Sequence, residues 1–248
     1  MANEKPFSAE QVEAVRGIVA ERALGIAFQP IVDLRRRTVY AYEALARIAS
    51  PSFDGPAELF AAAAEARCVG ELGRIHREHA TRLLAGSPLF LNIHPAEFDE
   101  GWLVRPDDPI FRLRTPATLE ITESVPLSYF AQCHSVLAEI RRKGVLLAID
   151  DFGSGYSNLR YILDLEPEIV KLDRQLIVGL RSGTRQEKLI RAIVDLCHRM
   201  DSRVIAEGIE TLVELDAVRA LGVDYAQGYL LGRPANPPPG MTWPHKLF

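Results

Sequence analysis

The sequence predicts an α/β fold, a TIM-like (β/α)8 barrel with an antiparallel first strand. Three observations carry that expectation. Short apolar runs alternate with helical patterns, which calls for parallel strands joined by right-handed helical crossovers. Eight such runs are present, enough to close the sheet on itself, and 248 residues is a usual length for one such barrel. Only the few residues around Arg35-Arg36-Arg37 join the first two runs, far short of the roughly dozen that a parallel crossover needs, so the first strand must run against the second.

The elements follow in chain order. Ser8-Ala-Glu-Gln11 reads as a capping box opening a helix to about Ala23, with Val12, Val15, Ile18 and Val19 on one face. Residues 1–23 are read as a helix packed on or flanking a barrel of residues 24–248; this helix could serve a partner or cover the barrel bottom. Strand candidates begin at Leu24, Thr38, Leu89, Ala117, Val145, Ile169, Arg203 and Asp224. Helical patterns cover Ala57–Cys68, Glu71–Leu84, Leu127–Lys143, Arg185–Met200 and Leu212–Leu221. The three arginines of the first turn read as solvated turn residues, with a phosphate site as the alternative. From Pro234 onward prolines forbid a helix or a central strand, leaving an extended cover or a loose end.

Composition narrows the class. With 48% hydrophobic and 25% charged residues, the chain reads as a soluble globular protein. A net charge of -4 argues against duplex nucleic acid as a partner, because phosphate contacts dominate that affinity and demand a basic surface. Cys68, Cys133 and Cys197 form no CxxC pair, which suits a reducing compartment. The polar start lacks the apolar core of a signal peptide, and no apolar run reaches the roughly 18 residues of a membrane span. A cytoplasmic protein is expected.

Strand after strand ends in a polar or charged group: Glu43, Asn92, Glu120, Asp150 with Asp151, Lys171 with Asp173, Glu207, and Gln227. A barrel gathers its strand ends on one rim, where barrel active sites lie. Converging carboxylates repel one another and lose hydration unless cations neutralise them. Oxygen ligands without His or Cys at ligand spacing select Mg²⁺ or Mn²⁺ over Zn²⁺, and the adjacent Asp150 and Asp151 could bridge to a second ion. Any one carboxylate at a strand end can be a helix cap; a whole set of rim positions is not explained that way. His94, His76 and His79 read as rim or capping residues rather than ligands. Gly153 and Gly155 in DDFGSGYSNL allow positive φ, and the absence of a GxxxxGK[ST] pattern favours a mobile loop after two ligands over a phosphate cradle.

YEALAR, LNIHP, LEITES, AIDDFGSGYSNLRYI, VKLDR, VIAEGIET and QGYLLGRP resemble, in order, the motifs of the EAL-domain cyclic di-GMP phosphodiesterases. The resemblance spans about Leu24 to Pro234. It implies a metal-dependent enzyme that hydrolyses cyclic di-GMP to linear pGpG, using two Mg²⁺ or Mn²⁺ ions. By the same resemblance Glu43, Asn92, Glu120 and Asp150 hold one metal, and Asp150 bridges to a second supported by Asp151 and Glu207. Lys171 contacts or helps deprotonate the attacking water, with a lowered pKa expected beside two cations, and Glu43 and Glu207 join it as catalytic groups. Gln29, Leu45, Arg47, Asp173, Glu210 and Gln227 correspond to substrate-binding positions, and Glu123 to the glutamate that steadies the glycine-containing loop. A homodimer near that loop and the helix after Lys171 is implied as well. No sensory or cyclase segment is read in the chain, so control is expected from concentration, dimerisation or an upstream regulatory partner. Ala46, Ile48, His94, Asn158 and Gln175-Leu176 depart from the family pattern without removing an implied metal ligand. The alternative is a cyclic di-GMP receptor that binds without cleaving and acts through protein contacts.

Overall fold

The computed structural model describes residues 6–98, 101–122, 127–154, 159–241, 243 and 244, with 127–132 described by their backbone alone. Eight strands close into a barrel in sequence order. They are β1 (Gly25–Asp33), β2 (Thr38–Arg47), β3 (Leu89–Asn92), β4 (Ala117–Thr122), β5 (Leu146–Phe152), β6 (Ile169–Leu172), β7 (Arg203–Ala206) and β8 (Tyr225–Ala226). β1 is antiparallel to both β2 and β8, and every other neighbouring pair is parallel. The turn at residues 34–37 is too short for anything else: Asp33 Oδ1 accepts from the backbone N–H of Arg35 and Arg36 and folds the chain straight back.

Helices α1 (Ala9–Glu21), α2 (Pro56–Glu65), α3 (Val69–Leu83), α4 (Leu127–Arg142), α5 (Arg160–Leu165), α6 (Arg174–Ile177), α7 (Arg185–Arg199) and α8 (Leu212–Ala220) complete the chain. Ser8 and Gln11 form the expected capping box on α1. α1 does not cross the barrel bottom: Val15 and Ile18 pack with Leu59, Leu72 and Ile75 of α2 and α3, on the barrel's flank. The link from β3 to β4 carries single 3-10 turns at Pro95–Glu97, Trp102–Val104 and Pro109–Arg112, which periodicity did not reveal. The proline-rich tail is an extended cover, since Ala235 exchanges both backbone hydrogen bonds with Phe28 of β1.

Period-two alternation within the strands explains what fills the barrel. Ile31, Ala41, Phe90, Ala148, Ile169, Ile205 and Tyr225 form one apolar cluster in its interior. Two residues further toward the rim on the same strands stand Gln29, Glu43, Asn92, Asp150, Lys171, Glu207 and Gln227. On β4, Glu120 stands likewise two residues after the buried Thr118. The polar rim is therefore the next interior layer, resting on an apolar plug.

Candidate metal centre and active site

Stacked on that plug, Glu43, Glu120, Asp150 and Lys171 are buried, Glu120 and Lys171 to within 1% of their surface. Lys171 Nζ is 2.5 Å from Glu120 Oε1, 2.8 Å from Glu207 Oε1, 2.9 Å from Asp150 Oδ1 and 3.7 Å from Glu43 Oε2. One ammonium thus faces four carboxylates. Among the described residues Lys171 is the one partner of Glu120 Oε1 and Asp150 Oδ1, and Glu120 Oε2 has no hydrogen-bond partner. A buried carboxylate oxygen left in that state is costly, and a cation is the partner that would satisfy it.

Asp151 joins the cluster through a backbone irregularity. Neighbouring side chains of a regular strand point to opposite faces. β5 shifts register against β6 between Ile149 and Phe152, and Asp151 takes φ 57°. That bulge turns two consecutive aspartates toward one site. Ligand oxygens of Glu43, Glu120 and Asp150 lie within 4.8 Å of one another, as do those of Asp150, Asp151 and Glu207. Asp150 belongs to both groups, so two cations could be held with Asp150 between them. All the donors are hard oxygens, which fits Mg²⁺ or Mn²⁺. Asn92 Nδ2 donates to Glu43 Oε1 at 2.9 Å, so coordination through its amide oxygen needs that bond to be exchanged.

Protonation follows from the crowding. Burial pushes Glu120 well above the usual carboxylate range, with Glu43 adding to it and Lys171 opposing. Burial also raises Glu207 to about 8 against the pull of Lys171, and Asp151 to about 6 with help from Asp150. At Glu43 burial is outweighed by Lys171 and by hydrogen bonds from Gln227 and Asn92, and the carboxyl sits low. For Lys171 the sequence expectation concerned a site that holds two cations, and the metal-free site behaves differently. Burial would lower it, but Asp150, Glu120, Glu207 and Glu43 hold the ammonium well above its ordinary range. The expectation counted two cations beside this lysine, and without them the carboxylates set the sign.

The expected substrate positions divide between two cavities that flank the cluster. One of about 270 Å³ is lined by Gln29, Glu43, Glu207, Glu210 and Gln227. Gln227 Nε2 donates to Gln29 Oε1 at 3.0 Å and to Glu43 Oε2 at 2.6 Å, tying this cavity to the centre. The other, about 690 Å³, is lined by Leu45, Arg47, Phe60, His76, Asn92 and His94. Asp173 stands apart from both linings, and its Oδ1 accepts from the backbone N–H of Gln175 as the cap of α6. Gly153, with φ 101°, follows the two aspartates, and a Cβ there would lie 2.3 Å from Leu176. Glu123, Gly155 and Asn158 lie outside the described residues.

None of the three histidines discussed belongs to either ligand group. His94 Nδ1 caps the turn at Pro95, and His79 Nδ1 bonds the Leu24 carbonyl. His76 is neither at the rim nor a cap: it is buried on α3 and faces the larger cavity, with burial lowering it to about 4. Arg174 was not foreseen. It lines the smaller cavity and pairs with Glu210 at 3.0 Å, and its place just past the end of β6 was the available signal.

Comparison with known proteins agrees with this geometry. The EAL domain family model matches residues 12–234. A cyclic di-GMP phosphodiesterase of Pseudomonas aeruginosa, PA2567, is 30% identical over 243 residues, covering 92% of this chain and 41% of its own length. The chain spans less than half the length of such curated relatives. Among solved structures, the PaMucR phosphodiesterase in complex with c-di-GMP is 26% identical with a TM-score of 0.78, covering 91% of this chain and 97% of that one. The manganese and cyclic-diGMP complex of Klebsiella pneumoniae BlrP1 is 31% identical with a TM-score of 0.74, covering 86% of this chain and 56% of that one. With a family model matched from α1 to the end of the barrel, the chain belongs to the EAL domain family.

Proposed function

We propose that this domain hydrolyses cyclic di-GMP to linear pGpG, with divalent cations held by Glu43, Asn92, Glu120, Asp150, Asp151 and Glu207. One observation carries the reading: two groups of carboxylates share Asp150 and include a buried oxygen, Glu120 Oε2, that lacks a hydrogen-bond partner among the described residues. Two Mg²⁺ or Mn²⁺ ions bound there would supply charge neutralisation, a water of lowered pKa and stabilisation of the phosphoryl oxygens. The substrate is taken from the relatives' names, and the cavities support it, because a ligand with two bases about one reacting phosphate needs room on both sides of the centre.

The chain's own residues then divide the work. Lys171, held upright on the plug, hydrogen-bonds the attacking water and stabilises charge on the phosphate. Glu43 and Glu207 flank that lysine and set its position. Gln29 and Gln227 orient the ligand in the smaller cavity, with Glu210 at its edge, and Asp173 acts from outside the lining as the cap of α6. Leu45 packs on it in the larger cavity, where Arg47 can grip a phosphate through its planar fork. Glu123 is proposed to steady the loop after Asp151. A cytoplasmic setting fits Cys68, Cys133 and Cys197, none of which forms a disulfide among the described residues, and among those residues no helix is long and apolar enough to cross a membrane. A homodimer is proposed near the loop after Asp151 and α6, the helix after Lys171, under control of a regulatory partner; light scattering that gives one chain at every concentration would rule the dimer out.

The test is to incubate the pure protein with cyclic di-GMP and Mg²⁺ or Mn²⁺ and separate the products by chromatography. Linear pGpG is expected, and Glu43→Ala should slow its formation by roughly 10³-fold or more while the protein still melts cooperatively. Binding without any pGpG would make the domain a receptor. Full activity in Glu43→Ala would overturn the metal assignment.

A further inference from the structure

The opposite end of the barrel carries a second polar cavity, of about 730 Å³, that hydrolysis at the rim does not use. It is lined by the β1–β2 turn (Arg35, Arg36), the first residue of β7 (Arg203), the last turn of α8 (Arg219) and the turn into β8. Four arginines therefore line it against two acidic residues, Asp33 and Asp224.

Those carboxylates are already engaged. Asp33 Oδ1 holds the N–H groups of Arg35 and Arg36, and its Oδ2 pairs with Arg36 at 3.2 Å. Asp224 Oδ2 accepts from Val204 N at 2.8 Å and bonds His198 Nε2 at 2.9 Å. Among the described residues no carboxylate pairs with Arg35 or Arg203 within ion-pair distance; Arg203 Nη1 instead bonds the Tyr225 hydroxyl at 2.5 Å. Arg219 lies 3.7 Å from Asp216 and, together with Arg37, against the face of Trp243, at 5.5 and 5.3 Å from the ring centroid. Arg36, Arg203 and Arg219 are thus held in place, and the lining carries more positive charge than its carboxylates neutralise, around a hollow of small-ligand size.

Guanidinium forks match carboxylate and phosphate oxygens in a bidentate manner, and a phosphate group with more than one charge can engage several of them at once. We propose that this lower cavity binds a multiply charged phosphate group, as a second ligand site independent of the acidic rim. The phosphate could belong to a free small molecule or to a lipid headgroup. Placed at the N-terminal ends of the parallel strands, the cavity is remote from barrel chemistry, so its ligand would act on stability or assembly rather than on bond cleavage.

Inorganic pyrophosphate is the probe, titrated calorimetrically into the full chain in excess EDTA, so that the metal-free carboxylates of the rim repel it. Saturable binding at one site is expected, weakened by high salt, and weakened roughly tenfold or more in Arg203→Gln and in the double variant Arg35→Gln/Arg219→Gln. The double variant leaves the Arg203–Tyr225 bond intact, so it keeps the question open to measurement if Arg203→Gln melts early. Glu43→Gln at the rim should leave pyrophosphate binding unchanged. In parallel, co-sedimentation with vesicles containing phosphatidic acid, whose phosphomonoester can carry two charges, against phosphatidylcholine alone, separates the sources. Vesicle binding that the same arginine variants abolish, without pyrophosphate binding, assigns the site to a lipid headgroup. Neither probe binding, equal binding in the arginine variants, or loss of binding in Glu43→Gln would each overturn the proposal.

Discussion

Two buried clusters of charge sit on either side of β3, and they obey opposite rules. Outside the barrel, Arg77, Glu97 and Asp108 are fully buried between α3 and the β3–β4 link. Arg77 Nη1 donates to Glu97 Oε2 at 2.6 Å, while its Nε and Nη2 grip both oxygens of Asp108. The N–H groups of His94 and Ile110 take the remaining places on Glu97 and Asp108. Burial still pushes Glu97 up, with Arg77 opposing. At the rim, by contrast, one lysine serves four carboxylates, and Glu120 Oε2 is buried without a hydrogen-bond partner among the described residues. A complete network fixes structure. An incomplete one, kept at a strand-end rim, is arranged for something that arrives from outside.

The contrast breaks most sharply at Arg77. Arg77→Met leaves two buried carboxylates without their cation, and a loss of about 3–5 kcal/mol is expected in urea unfolding. A loss below about 1 kcal/mol would mean that the triad is no structural lock. The rim should respond to metal instead. At a hundredfold excess over Kd, Mg²⁺ or Mn²⁺ should stabilise the metal-free protein by about 2.7 kcal/mol, raising Tm by roughly 5–10 °C. Asp150→Asn removes the ligand shared by both carboxylate groups and should abolish most of that rise, whereas Arg77→Met should keep it. A metal-induced shift that survives in Asp150→Asn would place the ions elsewhere.

The same contrast explains what the sequence could and could not disclose. Strand-end residues such as Glu43, Glu120 and Glu207 were legible, because period two and barrel closure put them in one layer whatever the details of packing. The antiparallel first strand was legible from the length of one turn. The triad was not: Arg77, Glu97 and Asp108 stand on three separate segments, and nothing local marks an arginine in a helix as wholly buried. The 3-10 turns beneath it escaped for a related reason, being fixed by single caps such as Asp108 on Ile110 rather than by any periodic pattern. α5 and α6, of 6 and 4 residues, are too short for an amphipathic period to emerge. The charge state of Lys171 depends on which neighbours are counted, and a residue list does not contain the ions.

A smaller effect separates the clusters by pH. In the metal-free protein Glu207, raised to about 8 from an ordinary 4.5, keeps its proton in the fold where the unfolded chain has lost it. Asp151, raised to about 6 from 3.8, does the same over a narrower range. The native state then binds more protons than the unfolded one, so stability falls as pH rises from about 4 to 8. With the lysine shared among the carboxylates, the fall is expected to be on the order of 2 kcal/mol. Thermal melts in EDTA across that window would register it. Saturating metal should flatten the dependence, since bound cations favour the ionised carboxylates that the empty cluster disfavours. Melts that are flat in EDTA, or equally steep with metal, would show that the rim is not the source.

The smallest expected effect tests how tightly the triad is built. Gly73 lies in α3 with the Glu97 carboxylate against its backbone, so that an added Cβ would stand 2.1 Å from Oε2 and 2.4 Å from the carboxyl carbon. In an unobstructed helix, Gly→Ala would stabilise by about 1 kcal/mol, because glycine loses more backbone freedom on folding. Here the methyl must displace a carboxylate that Arg77 and the His94 N–H hold from the other side. Crowding of that kind costs about 1–3 kcal/mol, so the two terms nearly offset and a net loss of about 1 kcal/mol is expected for Gly73→Ala. The double variant Gly73→Ala/Glu97→Gln shows whether the carboxylate is the obstacle. If Glu97 is held by its charge, the amide yields more readily and the two substitutions interact by more than about 0.5 kcal/mol; strict additivity would mean that Gly73 is there for helix packing alone.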